Sequence, residues 1–151
     1  MKPLIVLLVI FTITLFTLKF KQGTYNFALS ARIGMSVMLL FTALGHFMFT
    51  DGMVMMVPEF IPFKKEMVYF TAIIEILGAF ALHIPQLRVI TAWLLILFFI
   101  LILPANIKAS IKTINYQKST YDGNGLLYLW FRIPLQILFI IWVYMSSIKT
   151  T

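Results

Sequence analysis

The chain has 151 residues, 62% of them hydrophobic and 11% charged, with a formal net charge of +7 and a mean hydropathy of +1.00. Soluble domains are about 45–50% apolar and about 25% charged, so 12 basic and 5 acidic residues cannot cover a water-exposed surface; soluble globular, disordered, collagen-like and coiled-coil classes are excluded. No cysteine is present, which excludes disulfides, thiolate metal sites, Fe–S clusters and a cysteine relay within the chain.

What remains is an all-α integral membrane protein, a single transmembrane domain over residues 1–151. A spanning helix needs about 20 mostly apolar residues, and five segments qualify: about 3–18, 27–49, 67–83, 89–107 and 126–145. They read as helices because lipid offers backbone amides no partner, and they lack the alternation of a β-barrel. Lys2 before an apolar run also suits a signal peptide. No small-x-small cleavage site follows, so a retained span is expected.

Five spans place the termini on opposite sides. Side A, that of the N-terminus, then carries the loops 50–66 and 108–125. Side B carries 19–26, 84–88 and the C-terminus. Lysine and arginine number six on side A and five on side B, which does not decide orientation. All four loop acids (Asp51, Glu59, Glu66, Asp122) fall on side A, which favours a cytoplasmic side B and C-terminus. The net charge reads as juxtamembrane lysine facing lipid headgroups, and no nucleic-acid partner is expected. The loop 50–66 is too apolar for water, and Met53, Met56, Val57 and Phe60 are expected on one face of a short interfacial helix. The loop 115–125 ends in the turn signal Asp122-Gly-Asn-Gly125.

Polar residues within the spans carry the functional reading. A charge at mid-membrane costs roughly 2.5–3.5 kcal/mol, and the spans contain Arg32, His46, Glu75, Asn106, Arg132 and Gln136. At about 1.5 Å rise per residue, all but Arg32 fall in the side A half. At 100° per residue, Arg32, Ser36, Ala43 and His46 share one face; Thr71, Glu75, Gly78 and Ala79 share another; Tyr128, Arg132 and Gln136 a third. These stripes are expected to face one another, with Glu75 and Arg132 as an ion pair. Pro104 and Pro134 free the carbonyls of Ile100 and Trp130, which are expected to line a polar cavity with Asn106 and Gln136. Two readings stay open: a ligand pocket, or polar contacts that fix helix register. No phosphate loop, metal spacing or nucleophile elbow occurs, and the two histidines lie toward opposite ends of the bilayer. No metal is expected.

The order Gly45-His46-Phe47, Pro58, Ile61-Pro62, Glu75-Ile-Leu-Gly78, Arg88, Pro104-Ala-Asn106 and Arg132-Ile-Pro134-Leu-Gln136 resembles the DoxX-like small bacterial membrane proteins, over about residues 32–142. The resemblance implies a four-helix transmembrane bundle formed by the second to fifth spans, with the first span added, in a cell inner membrane. It implies an accessory or assembly subunit of a membrane complex, in some relatives a quinone-linked respiratory one, with that complex or a second copy of the chain as partner. The dithiol branch of the family does not carry over to a chain without cysteine. The alternative expectation is a binder of, or enzyme for, a small lipophilic molecule such as a quinone, held by His46, Glu75, Asn106, Arg132 and Gln136, with Arg32 and Tyr128 secondary. No catalytic residue is assigned.

Overall fold

The computed structural model describes residues 2–150, and among them every element of regular structure is helical. In chain order these are α1 (Lys2–Gln22), α2 (Phe27–Met48), α3 (Thr50–Met56), α4 (Lys64–Ala81), α5 (Arg88–Leu101), α6 (Leu103–Ile111), α7 (Leu126–Val143) and a terminal π-helical turn (Tyr144–Ile148). Among the described residues, four stretches are long and apolar enough to cross a membrane: Lys2–Gln22, Phe27–Met48, Arg88–Ile111 and Leu126–Ile148. Helix α4 has 18 residues but carries Lys64, Lys65, Glu66 and Glu75, which removes it from that set by composition.

The first turn is built locally. Gly23 takes φ +73 and donates its amide to the Lys19 carbonyl, ending α1. Asn26 then caps α2, its Oδ1 accepting from Leu29 N at 3.0 Å. This hairpin lays α1 on α2, and the crossing needs Gly34: a Cβ there would lie 3.1 Å from the Leu7 carbonyl oxygen. Such small-residue contacts let membrane helices approach without a hydrophobic driving force.

Helix α2 is the hub. It packs on α1, α4, α7 and the π turn. The shared core is Met35, Met38 and Leu39 of α2 against Ala79, Leu95, Phe99, Leu135, Phe139 and Val143. The outer surfaces stay apolar, with Phe70, Ile73, Leu77 and Phe80 exposed along α4 and Trp93, Leu94 and Leu97 along α5. Exposed stripes of this size suit lipid rather than water.

Two prolines and one loop bear on the sequence expectation. Pro104 interrupts the stretch 89–107 as expected, with a break at Ile102 and Pro104 in the first turn of α6, which runs on to Ile111, whereas Pro134 lies inside an unbroken α7. Proline lacks the amide that a helix interior requires but is tolerated at a helix start. The short helix of loop 50–66 is real, as α3, yet its apolar residues do not share one interfacial face. Met56 and Val57 are buried, with Met56 against Ala109 and Ile114, whereas Phe60 is 82% exposed. Helix α3 therefore closes the side A end of the bundle from within.

Behind α3, an ion cluster ties the loop down. Glu59 accepts from Lys64 Nζ and Lys108 Nζ, both at 2.7 Å, with Lys112 at 3.8 Å. Those ammonium groups hold the Glu59 carboxyl at about 2, below its ordinary 4.5. A depressed carboxyl contributes stability above its unfolded value and loses it as pH falls through the folded one. Amide exchange over residues 57–64 is therefore expected to accelerate as pH drops from about 4.5 toward 2, once the intrinsic pH dependence is removed, and Glu59→Gln should abolish that acceleration. Because the carboxylate is exposed, high salt should weaken the effect. An unchanged profile in the Gln variant would refute it.

Candidate functional site

The polar stripes of α2, α4, α6 and α7 meet in the side A half, and their pairing is specific. His46, near the end of α2, turns toward α4. Its Nδ1 lies 3.1 Å from Thr71 Oγ1, and its Nε2 lies 3.4 Å from Glu75 Oε2. The Thr71 hydroxyl donates to the Val68 carbonyl at 2.7 Å, so toward His46 it can only accept. The hydrogen is therefore on Nδ1 of His46. The other nitrogen, Nε2, faces a carboxyl that is 5% exposed. A neutral imidazole beside a protonated carboxyl, or an imidazolium beside a carboxylate, carries no net charge, which is how two ionisable groups are kept in a dry interior.

This corrects the expected ion pair. Among the described residues, Glu75 makes its ionic contact with His46, and Arg132 is not within 4 Å of it. Arg132 instead donates from Nε to Asn106 Oδ1 at 3.3 Å, and its guanidinium lies 5.8 Å from the Tyr128 ring centre. Tyr128 donates its hydroxyl to the same Asn106 oxygen at 3.1 Å. Asn106 thus gathers α6 and α7, and Arg132 acts on Glu75 and His46 only through space.

Gln136 is buried but serves the backbone. Its Nε2 donates to the Phe99 carbonyl at 2.8 Å. That carbonyl belongs to the last turn of α5, where helix breakage at Ile102 leaves oxygens without an amide partner. Gln136 therefore meets the Phe99 carbonyl, one residue before the Ile100 carbonyl that Pro104 was expected to free. Arg32 lies at the other end, donating from Nη1 to the Ser146 carbonyl at 2.7 Å.

Among the described residues, two buried polar atoms have no hydrogen-bond partner: Glu75 Oε2 and Asn106 Nδ2. The 3.4 Å contact of Oε2 with His46 is close but lacks hydrogen-bond geometry. An orphaned buried polar group costs about 1–3 kcal/mol, so its retention calls for a reason. Just outward lies a cleft of about 270 Å³, lined by Phe47, Thr50, Asp51, Lys65, Tyr69 and Gln117 among others. Thr50 on its wall donates to the His46 carbonyl at 2.8 Å. No group of three or more metal-ligating side chains occurs among the described residues.

Sequence reasoning missed Thr71 as the group that sets the His46 tautomer, although the shared face of α4 had included it. The polar face of α2 had included Ser36, but not its partner His83, 3.0 Å away. His83 had only its position near the far membrane boundary to signal a role.

A family model described as Domain of unknown function (DUF8561) matches residues 35–147. The chain belongs to the DUF8561 family. The matched region is 113 of the 151 residues (147 − 35 + 1), so it takes in His46, Thr71, Glu75, Asn106, Tyr128, Arg132 and Gln136 and stops short of α1 and Arg32. No curated protein and no solved structure matches the chain.

Proposed function

We propose that this DUF8561 protein binds a small lipophilic molecule with a carbonyl or hydroxyl head, the quinones among them, in the side A half of its bundle. The observation that carries the reading is the pair of unsatisfied buried atoms, Glu75 Oε2 and Asn106 Nδ2. One accepts a hydrogen bond or delivers a proton, the other donates, and a quinone-type head offers the complementary groups. His46 and Glu75 would exchange a proton with that head, Arg132 and Tyr128 would hold Asn106 in place, and the cleft at Thr50 and Tyr69 would be the way in.

In this proposal α4 is a fifth span, since Phe70, Ile73, Leu77 and Phe80 form an outer apolar stripe at helical spacing. The DoxX-like motif order supports a bundle of α2 and α4–α7 with α1 added, in a cell inner membrane with the C-terminus cytoplasmic. The same motif order supports a place beside a larger, quinone-linked complex, for which the site would hold the shared molecule.

Native mass spectrometry of gently solubilised protein tests this. The wild type is expected to carry an extractable small lipophilic molecule, and Glu75→Gln and His46→Ala to lose at least about tenfold in its occupancy, the factor that corresponds to one lost hydrogen bond of about 1.4 kcal/mol. Folded variants that retain the molecule like wild type would refute the site. Partner subunits without a small molecule would favour a purely accessory role.

A further inference from the structure

The opposite end of the bundle carries positive charge that the described protein does not neutralise. Arg32 is 9% exposed, and among the described residues its acceptor is the Ser146 carbonyl. Arg88 opens α5 and donates from Nε to the Leu82 carbonyl at 3.4 Å. His83, in the turn between α4 and α5, approaches Ser36 Oγ at 3.0 Å. The Ser36 hydrogen goes to the Ala79 carbonyl at 2.8 Å, so the ring donates from Nε2. Ser36 stands one turn along α2 from Arg32, so its contact with His83 and the bond of Arg88 to the Leu82 carbonyl bring the three groups to the same end of the bundle.

All five acids of the chain are engaged or placed elsewhere. Asp51, Glu59, Glu66 and Asp122 stand at the side A end, and Glu75 faces His46. Among the described residues, no carboxylate pairs with Arg32, His83 or Arg88. A guanidinium has five N–H donors, and each arginine uses one on the protein. The two carbonyls they meet carry only fractional charge. Helix α5 begins at the same place with no side-chain cap and no acid in its first turn, so its positive end adds to the field.

We propose that Arg32, Arg88 and the N-terminus of α5 form a phosphate site for the headgroup of an anionic phospholipid in the side B leaflet. A phosphate oxygen pair matches the planar arginine fork, and it supplies the negative charge that the surrounding side chains lack. The surroundings are those of a lipid and not of a soluble anion. Ile84, Leu87 and Ile90 flank the cluster with exposed apolar surface. An apolar cleft of about 310 Å³ runs between α1, α2 and α7 past Phe11, Ala31, Leu138 and Trp142, and includes Ser146, whose carbonyl holds Arg32. It offers a bed for an acyl chain. The site is independent of the His46–Glu75 region.

The full chain, reconstituted in mixed phosphatidylglycerol and phosphatidylcholine of matched acyl chains, is released for native mass spectrometry. Wild type should retain phosphatidylglycerol over phosphatidylcholine, and Arg88→Gln should cut that preference about fivefold, the ~1 kcal/mol of one basic group at a lipid surface. Arg88→Lys, which keeps the charge but loses the fork, should fall between the two, and it provides a second reading should the glutamine variant not fold. Equal retention of both lipids by wild type, or an unaltered preference in folded Arg88→Gln, overturns the proposal. Displacement of the bound lipid by inorganic phosphate alone would identify a soluble anion and overturn the lipid assignment.

Discussion

Replacing His46 with leucine is expected to destabilise the protein by about 2–3 kcal/mol, whereas Glu75→Gln should cost less than about 1 kcal/mol. The leucine leaves Glu75 Oε2 with no polar neighbour at 3.4 Å, in a site that is 95% covered (100 − 5). Breaking a buried pair by removing one partner costs about 3–5 kcal/mol when the other stays charged. Here the carboxyl can keep a proton, which reduces the penalty to that of an orphaned polar group. Glutamine, by contrast, reproduces the protonated carboxyl in shape and offers its amide to His46 Nε2, the nitrogen that the Thr71 contact leaves as an acceptor. Thr71→Val should cost about 1–3 kcal/mol, because it removes the acceptor of the Nδ1 hydrogen at constant volume. Unfolding in a denaturing detergent, followed by tryptophan fluorescence, measures all three. The double variant His46→Leu, Glu75→Leu should recover much of the loss, since an apolar pair carries no desolvation penalty. Strictly additive single effects would show that the two residues do not act as a unit.

The second large effect is steric. Gly52 lies within α3 where a Cβ would stand 1.8 Å from the Tyr116 carbonyl oxygen and 2.5 Å from its carbon. Both sides of that contact are backbone, so no rotamer change relieves it. Gly52→Ala must lift α3 off the 112–125 loop and expose Met56, Ala109 and Ile114. The expected cost is about 3 kcal/mol, the upper end for overpacking. It should appear as accelerated amide exchange over residues 50–57 and 113–123. Gly45→Ala is the matched control. Its Cβ would meet only Met53 Cε at 3.9 Å, an ordinary contact, and alanine in a helix interior gains up to about 1 kcal/mol over glycine. If both variants exchange alike, α3 is not held by that backbone contact.

The hydropathy of the chain, the apolar runs and the turn residues determined an all-helical fold with helices long and apolar enough to cross a membrane. They also put His46, Glu75, Asn106 and Arg132 in one half of the bundle and Arg32 in the other. This follows from physics that acts along the chain: lipid forces each amide to bond within its own segment, and rise per residue converts position into depth. Which of those side chains touch was decided by tertiary structure alone. The packing of α4 on α2 brings Glu75 to His46, and that of α7 on α6 brings Arg132 to Asn106. The break at Ile102 turns Gln136 to Phe99. Hydropathy sets depth to within a turn and face to within a quadrant, while a hydrogen bond is made or lost over less than an ångström, and only the packing of α2 on α4 and of α6 on α7 resolves that scale.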